Sequence, residues 1–380
     1  MRIGISCHAS AGGSGVLATE LGIALAERGH TVHFVTFEEP FRLTEFHANV
    51  FSHYVSTITY PMFQQAPGTL ALAARMADVA EEHRIELWHA HYAIPYAAAG
   101  VMARDMLPAE SRFKVVTTLH GTDITLVGTD PSFFRVTQHA MEHSDAVTSV
   151  SDWLKRETER EFNLSRPVKR IYNFVDIDKF KAQPQRRCYL AQGDEKIVMH
   201  ISNFRPVKRV TDVVRAFKKI LDRVSARLVM VGDGPERISA VGVAKQLGIA
   251  DKVKYLGNQG NIETILPCAD IVFQPSEHES FGLVPLEAMA CEVPVIATAS
   301  GGICEVIEHG VTGFLCEVGD IDAMAGYAVT LLTNSKRAKE MGRKARQRAI
   351  EMFSKDKIVQ QYEELYNQII AEKGKPLAVP

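Results

Sequence analysis

Along most of the chain, short apolar runs alternate with stretches whose apolar residues recur every three to four positions. Apolar runs without strict alternation suit strands buried on both faces, and amphipathic stretches between them suit the helices that cover such strands. A first series predicts strands at Arg2–His8, Thr31–Phe37, Leu87–Tyr92, Lys114–His120 and Ala146–Ser151, with helices over Gly15–Arg28, Thr69–His83 and Ala93–Met106. A second predicts strands at Lys196–Ser202, Arg227–Gly232, Lys252–Leu256, Asp270–Gln274 and Pro294–Ala297, with helices opening near Thr211, Pro235, Gly282 and Asp320. The polar stretch Lys181–Glu195, with Pro184 and Gly193, reads as a surface connection, and the crossing between the two lobes is placed at Ile171–Asp176. Met341, Ala345, Phe353, Ile358, Tyr362, Leu365 and Ile369 keep helical spacing over a length that predicts two consecutive C-terminal helices. The fold class is α/β: two Rossmann-like, doubly wound domains of residues 1–170 and 171–356, with a last helix at about 357–380 packing back on the first. Open sheets of this kind hold ligands outside the carboxyl ends of their strands, so chemistry is expected in a central cleft lined by both sets of ends.

Composition narrows the function. The 380 residues carry 43 Lys plus Arg against 45 Asp plus Glu, a formal charge of −2, with no basic excess to neutralise a nucleic-acid backbone. No apolar run reaches the roughly 18 residues of a membrane-spanning helix, and Met1 leads into a strand-like segment, so a cytoplasmic location is expected. The six cysteines form no C-x-x-C pair and read by default as mostly buried free thiols. His89 and His91 make an H-x-H pair with no third ligand at a recognisable spacing, so no metal or other cofactor is expected. Homo-oligomerisation is left open.

Gly12-Gly13-Ser14-Gly15 lies between the first strand and first helix, where backbone N–H groups and the positive helix end suit an anion. Gly13-x-Gly15-x-x-Ala18, with Glu38 or Glu39 after the second strand, also satisfies a dinucleotide fingerprint, which makes an NAD-dependent oxidoreductase the rival reading. Turn geometry alone is a third explanation of the glycines.

The second half is more specific. Asn203-Phe204-Arg205-Pro206-Val207-Lys208-Arg209 follows a predicted strand and sets three cations at its carboxyl end. Arg205 can clamp two phosphate oxygens with its planar fork and Lys208 adds a point charge, which together suit a departing nucleoside diphosphate without a metal. Downstream, Glu279-Ser280-Phe281-Gly282-Leu283-Val284-Pro285-Leu286-Glu287 puts one carboxylate in a loop and a second about one and a half turns into a helix. Ser280, Phe281 and Gly282 offer amides to a phosphate, and Glu287 can accept both ribose hydroxyls. An ordinary helix cap with acidic residues is the plainer alternative.

These strings, with Glu287-Ala-Met-Ala-Cys291, Gly301-Gly302 and His309-Gly310-Val311-Thr312-Gly313-Phe314, resemble the retaining nucleotide-sugar glycosyltransferases of GT-B architecture, family 4 type, over nearly the whole chain. Gly12–Val16, His89–Pro95, Thr117–Thr125 and His200–Arg205 are similar to the branch that glycosylates L-malate in the first step of bacillithiol biosynthesis. Two positions depart from the family pattern. Glu292 stands where Gly is usual, and Cys304 where Pro is frequent.

The resemblance implies transfer of N-acetylglucosamine from UDP-N-acetylglucosamine to the malate hydroxyl, with retention and without a metal. It implies uracil near Gly257–Asn261, diphosphate on Arg205 and Lys208 beside Asn203, ribose on Glu287, and sugar hydroxyls on Glu279. Gly15 and Leu283 join the donor contacts. His120 is implied to touch the transferred sugar and shape its developing positive charge, with a role as general base less favoured. Malate carries two carboxylates and needs cations or N–H donors, for which Gly13, Ser14, Gly15, Tyr92, Thr118, Thr122 and Arg135 are the candidates. Asn173, at the crossing, either contacts the sugar or caps a turn. A different acceptor (an inositol phosphate, another sugar or a lipid) and a nucleotide-sugar sensor without turnover are the remaining rivals.

Overall fold

The computed structural model describes residues 1–9, 12–43, 45–58, 66–183 and 190–372. Ser10, Ala11, Pro184, Cys188 and residues 373–380 of the expected last helix lie outside the described residues. The chain divides into two compact units, Met1–Tyr172 with Asp356–Pro380, and Asn173–Lys355.

The first unit holds seven strands: β1 (Arg2–Ser6), β2 (Thr31–Thr36), β3 (Val50–Tyr54), β4 (Leu87–His91), β5 (Lys114–Leu119), β6 (Ala146–Ser149) and β7 (Lys169–Arg170). They form one parallel sheet in the order β3-β2-β1-β4-β5-β6-β7. Its helices are α1 (Gly13–Glu27), α2 (Gly68–His83), α3 (Ala98–Met106), α4 (Thr122–Thr125), α5 (Phe134–Glu142) and α6 (Asp152–Glu161). The second unit holds β8 (Lys196–Ile201), β9 (Ala226–Val231), β10 (Val253–Gly257), β11 (Ile271–Gln274), β12 (Val295–Thr298) and β13 (Gly313–Cys316), parallel in the order β10-β9-β8-β11-β12-β13. Around it lie α7 (Val210–Leu221), α8 (Arg237–Gln246), α9 (Ile262–Ile265), α10 (Leu283–Ala290), α11 (Ile303–Val306), α12 (Ile321–Thr333) and α13 (Ser335–Phe353). The last helix, α14 (Lys355–Ala371), belongs to the first unit except at its opening residue.

The doubly wound α/β class read from the apolar runs is the observed one, and both tail helices are present. Three strands were absent from the pattern. β3 lies at a sheet edge with exposed Phe51 and Tyr54, β7 is two residues long, and β13 is the outer strand beside β12. Each is too short or too solvent-facing to leave an apolar run.

Each core sits between one sheet and its helices. In the first unit Trp88 and Val115 pack against Leu72, Met76 and Phe113. In the second, Val198, Leu228, Ile271 and Phe273 meet Val214, Phe217 and Leu331. α14 is anchored by Glu363, 2.7 Å from Arg28 and 2.9 Å from His30, and by Tyr366, whose hydroxyl lies 2.6 Å from His89 Nδ1. Cys7, Cys291 and Cys316 are buried free thiols, in line with the reading of mostly buried free thiols, Cys304 is a free surface thiol, and Cys268 is the exception in being disulfide-bonded. No described helix is long and apolar enough to cross a membrane.

Candidate active site

In both sheets the strand order reverses beside the first strand, between β1 and β4 in one unit and between β8 and β11 in the other. Connections on either side of such a switch point leave in opposite directions and open a crevice at the carboxyl ends. In the second unit the loops at that point are Ser202–Lys208 and Pro275–Gly282, tied together by the Glu277 amide donating to the Val207 carbonyl at 2.8 Å. Lys208 Nζ lies 2.5 Å from Glu279 Oε1, and the same oxygen accepts from Gln274 Nε2 at 2.7 Å and Ser276 Oγ at 2.8 Å. Burial pushes the Glu279 carboxyl up, but the Lys208 charge and these donated bonds outweigh it and hold the group below its ordinary range. Glu279 is therefore a fixed, ionised carboxylate.

The backbone under it is equally constrained. The Gly302 amide donates to the Glu279 carbonyl at 2.7 Å, and Gly301, at φ +77, passes so close that an added Cβ would stand 2.1 Å from that oxygen. Gly301 is thus a backbone requirement of the Glu279 loop. At the end of β8, His200 Nδ1 lies 2.9 Å from the Phe273 carbonyl and its Nε2 2.8 Å from Ser202 Oγ. The carbonyl can only accept, so Nδ1 carries the proton and Nε2 accepts from the serine. Burial lowers this histidine to about 4. α10 begins after Gly282, at φ +99, with no side-chain cap, so its first-turn amides point outward at a helix's positive end. Arg205 stands exposed at the loop tip, unpaired among the described residues.

In the first unit the switch-point loops follow β1 and β4. His120, just past β5, turns Nε2 to His91 Nδ1 at 2.9 Å, and its ring centroid is 5.1 Å from that of Tyr92. His91 is 2% exposed, and its Nε2 has no partner among the described residues. A buried N–H without an acceptor is rarer than an unfilled lone pair, so Nδ1 of His91 is the donor and His120 keeps its own proton on Nδ1. Burial first, then the His8 charge, lowers His120 to about 3, so it is neutral and offers an N–H. Asp123 fixes the turn: one oxygen accepts from the His120 and Gly121 amides at 3.2 and 2.9 Å, the other from the Ala93 amide at 3.1 Å. Burial raises Asp123 to about 6 against the pull of those amides.

Two family models divide this chain between them. The model for Glycosyl transferases group 1 matches residues 182–348, and that for Glycosyltransferase Family 4 matches residues 11–179. The chain is 46% identical over 375 residues to the N-acetyl-alpha-D-glucosaminyl L-malate synthase of Bacillus anthracis, covering 98% of each. The chain belongs to the family 4 glycosyltransferases. A further relative, the GDP-mannose-dependent alpha-(1-6)-phosphatidylinositol monomannoside mannosyltransferase of Mycolicibacterium smegmatis, is 31% identical over 73% of this chain and 76% of its own length. In fold, the chain is similar to HepE of Anabaena, solved with UDP and glucose, at a TM-score of 0.82 and 23% identity, covering 97% of this chain and 99% of that one. Both units are the Rossmann-like sheets of GT-B glycosyltransferases.

Set against the family expectations, the residues fall into three groups. Asn203, Arg205, Lys208, Glu279, Ser280 and Gly282 lie on the two switch-point loops of the second unit, Leu283 opens α10, and Gly257 ends β10, where its carbonyl accepts from the Gly232 amide at 2.8 Å. His120, Tyr92 and Thr122 lie together in the first unit. Others sit otherwise than the sequence pattern placed them. Thr118 is 1% exposed and spends its hydroxyl on His89 and Thr148, both at 2.6 Å, beneath α14. Gly13, Ser14 and Gly15 are the first turn of α1, not a loop before it, and Gly15 is buried. Arg209 pairs with Asp212 at 2.6 Å at the start of α7, which leaves two cations at the loop where three were expected. The Phe281 ring is buried against Phe353. Glu287 is the fifth residue of α10, one turn in, and 3% exposed. Arg135 is exposed on α5, with no contact to His120 or Tyr92 among the described residues, and Asn173 opens the second unit.

Sequence reasoning missed Asp123, His91, Gln274 and Ser276. Asp123 sits inside the quoted string Thr117–Thr125 and could have been found there. Gln274 and Ser276 reach Glu279 through a strand end and gave no spacing signal.

Proposed function

We propose that this glycosyltransferase moves N-acetylglucosamine from UDP-N-acetylglucosamine to the hydroxyl of L-malate, giving N-acetylglucosaminyl-malate and UDP with retention of anomeric configuration. The observation that carries the donor half is the Lys208–Glu279 pair beside exposed Arg205 and the uncapped amides of α10. Arg205, Lys208 and those amides neutralise the diphosphate, Glu279 holds sugar hydroxyls, and Glu287 accepts from the ribose. The acceptor half rests on the 46% identity to a malate synthase over 98% of both chains.

The malate hydroxyl oxygen bonds to the anomeric carbon as the bond from that carbon to the β-phosphate oxygen breaks, both on one face of the sugar. The hydroxyl proton passes to the departing phosphate oxygen, so neither an enzyme nucleophile nor a metal is required. His120, neutral and donating from Nδ1, orients the sugar without acting as the base. The first-turn amides of α1, Tyr92 and Thr122 receive the malate carboxylates.

The test is release of UDP in excess EDTA with malate, succinate, inositol phosphate or no acceptor. Malate-dependent release supports the reading. Release only with inositol phosphate, only with no acceptor, or not at all overturns it, and reduction of a nicotinamide without UDP release returns the oxidoreductase.

A further inference from the structure

A histidine cluster lies away from the residues discussed above. His33 on β2, His53 on β3 and His83 at the end of α2 bring one ring nitrogen each to within 4.8 Å of one another. β2 and β3 pair in parallel with His33 opposite Phe51 and Val35 opposite His53, so His33 and His53 share one face of the sheet. α2 covers that face and ends there, Arg84 breaking the helix in the left-handed conformation. His33 Nδ1 and His53 Nε2 are 3.0 Å apart, and the His83 ring lies 4.4 Å from that of His33 and 5.1 Å from that of His53.

Two nitrogens on one tetrahedral ion, each about 2.0–2.1 Å from it, stand about 3.3 Å apart, close to the separation seen here. Imidazole is a ligand for borderline divalent ions, and three of them leave one position for water. Burial and the neighbouring rings disfavour a proton on His33 and His53, which keeps their lone pairs available. Burial, then His83 and His53, lower His33 to about 4. Arg75 and Glu82 are the other charges facing the cluster, and the Glu82 carboxylate lies 3.7 Å from His83 Nε2. The three residues come from three elements at long, irregular intervals, so no spacing motif announces them.

We propose that His33, His53 and His83 form a site for a divalent transition ion of the zinc(II) class, which clamps the edge strand β3 to β2 and to the end of α2. The site is independent of the transferase chemistry, which uses none of these residues.

The test uses the untagged full chain, stripped with EDTA and freed of it, then titrated at pH 7.5 with cobalt(II) and with zinc(II) against a chromophoric chelator. The proposal predicts one ion per chain, tetrahedral cobalt absorbance, and a thermal midpoint raised by about 5 °C with saturating zinc(II). His53→Ala and His83→Gln, both at half-buried positions, should each weaken zinc(II) binding by roughly 100-fold and abolish that rise while leaving UDP release in EDTA unchanged. Stoichiometric binding that survives both substitutions would place the ion elsewhere, for instance at the His139–His143 ring pair, and overturn the proposal. Wild-type binding no tighter than that of the variants would overturn it as well.

Discussion

The His120 ring accepts one hydrogen bond from buried His91, whose Nε2 has no partner among the described residues, so His91 sets which of the His120 nitrogens carries the proton. His91→Asn should lower turnover by roughly 10- to 100-fold through loss of orientation, with little change in the KM for UDP-sugar. An unaltered turnover number would remove His91 from the account. Lys208→Ala should lower UDP release by about 100-fold or more, since one preorganised charge at such a site is worth about 3 kcal/mol. Normal turnover in a folded variant, checked by circular dichroism, would contradict the assignment. Residues whose chemistry is local were legible in the chain: Arg205, Lys208, Glu279 and His120 stand at strand ends that apolar runs mark out. Residues whose role depends on what packs over them were not. Thr118 has the composition of a site residue and is sealed under α14, whose distance along the chain no local pattern encodes.

The elements nearest the donor loops depend on backbone positions more than on side chains. Gly301→Ala puts a methyl into the Glu279 carbonyl at a positive φ, and should destabilise the protein by roughly 1–3 kcal/mol while loosening the Glu279 loop. The urea midpoint and UDP release should fall together, and an unchanged midpoint would show that the loop tolerates a displacement the geometry denies. Glu292, which departs from the family's usual glycine, occupies φ +61, a conformation that favours glycine. That departure was visible in the sequence, but its consequence was not, because the conformation is set by the turn between α10 and β12. Parallel strands buried on both faces were readable from their apolar runs, whereas β3 and β13 lie at the outer edges of their sheets, where burial is one-sided or the strand is brief.

At the scale of the whole molecule, buried imidazoles govern the response to acid. Unfolded histidine titrates near 6.5. In the fold, burial lowers His89 and His120 to about 3, and His33 and His200 to about 4. The stability gained by keeping these bases neutral is complete above pH 6.5 and is lost as pH falls toward the folded values, on the order of 1 kcal/mol for each fully buried ring between pH 6.5 and 5 and less for His33. Asp123 acts in the opposite sense. Burial raises it to about 6 from 3.8, so it contributes stability as pH falls through 6, but it is one group against four. The thermal midpoint of metal-free protein should therefore drop by about 5 °C or more from pH 7.5 to 5.0, and a flat profile would contradict the burial assigned to these rings. Near-neutral net charge, two doubly wound units and the cation- and glycine-bearing strings of the candidate donor loops were all legible in composition and pattern, whereas the three-histidine cluster needed the sheet register. The account as a whole rests on where the donor's diphosphate sits. A crystal structure of the protein with UDP tests this most directly: density is predicted beside Arg205 and Lys208 at the Ser280 turn, and well-ordered UDP anywhere else would contradict it.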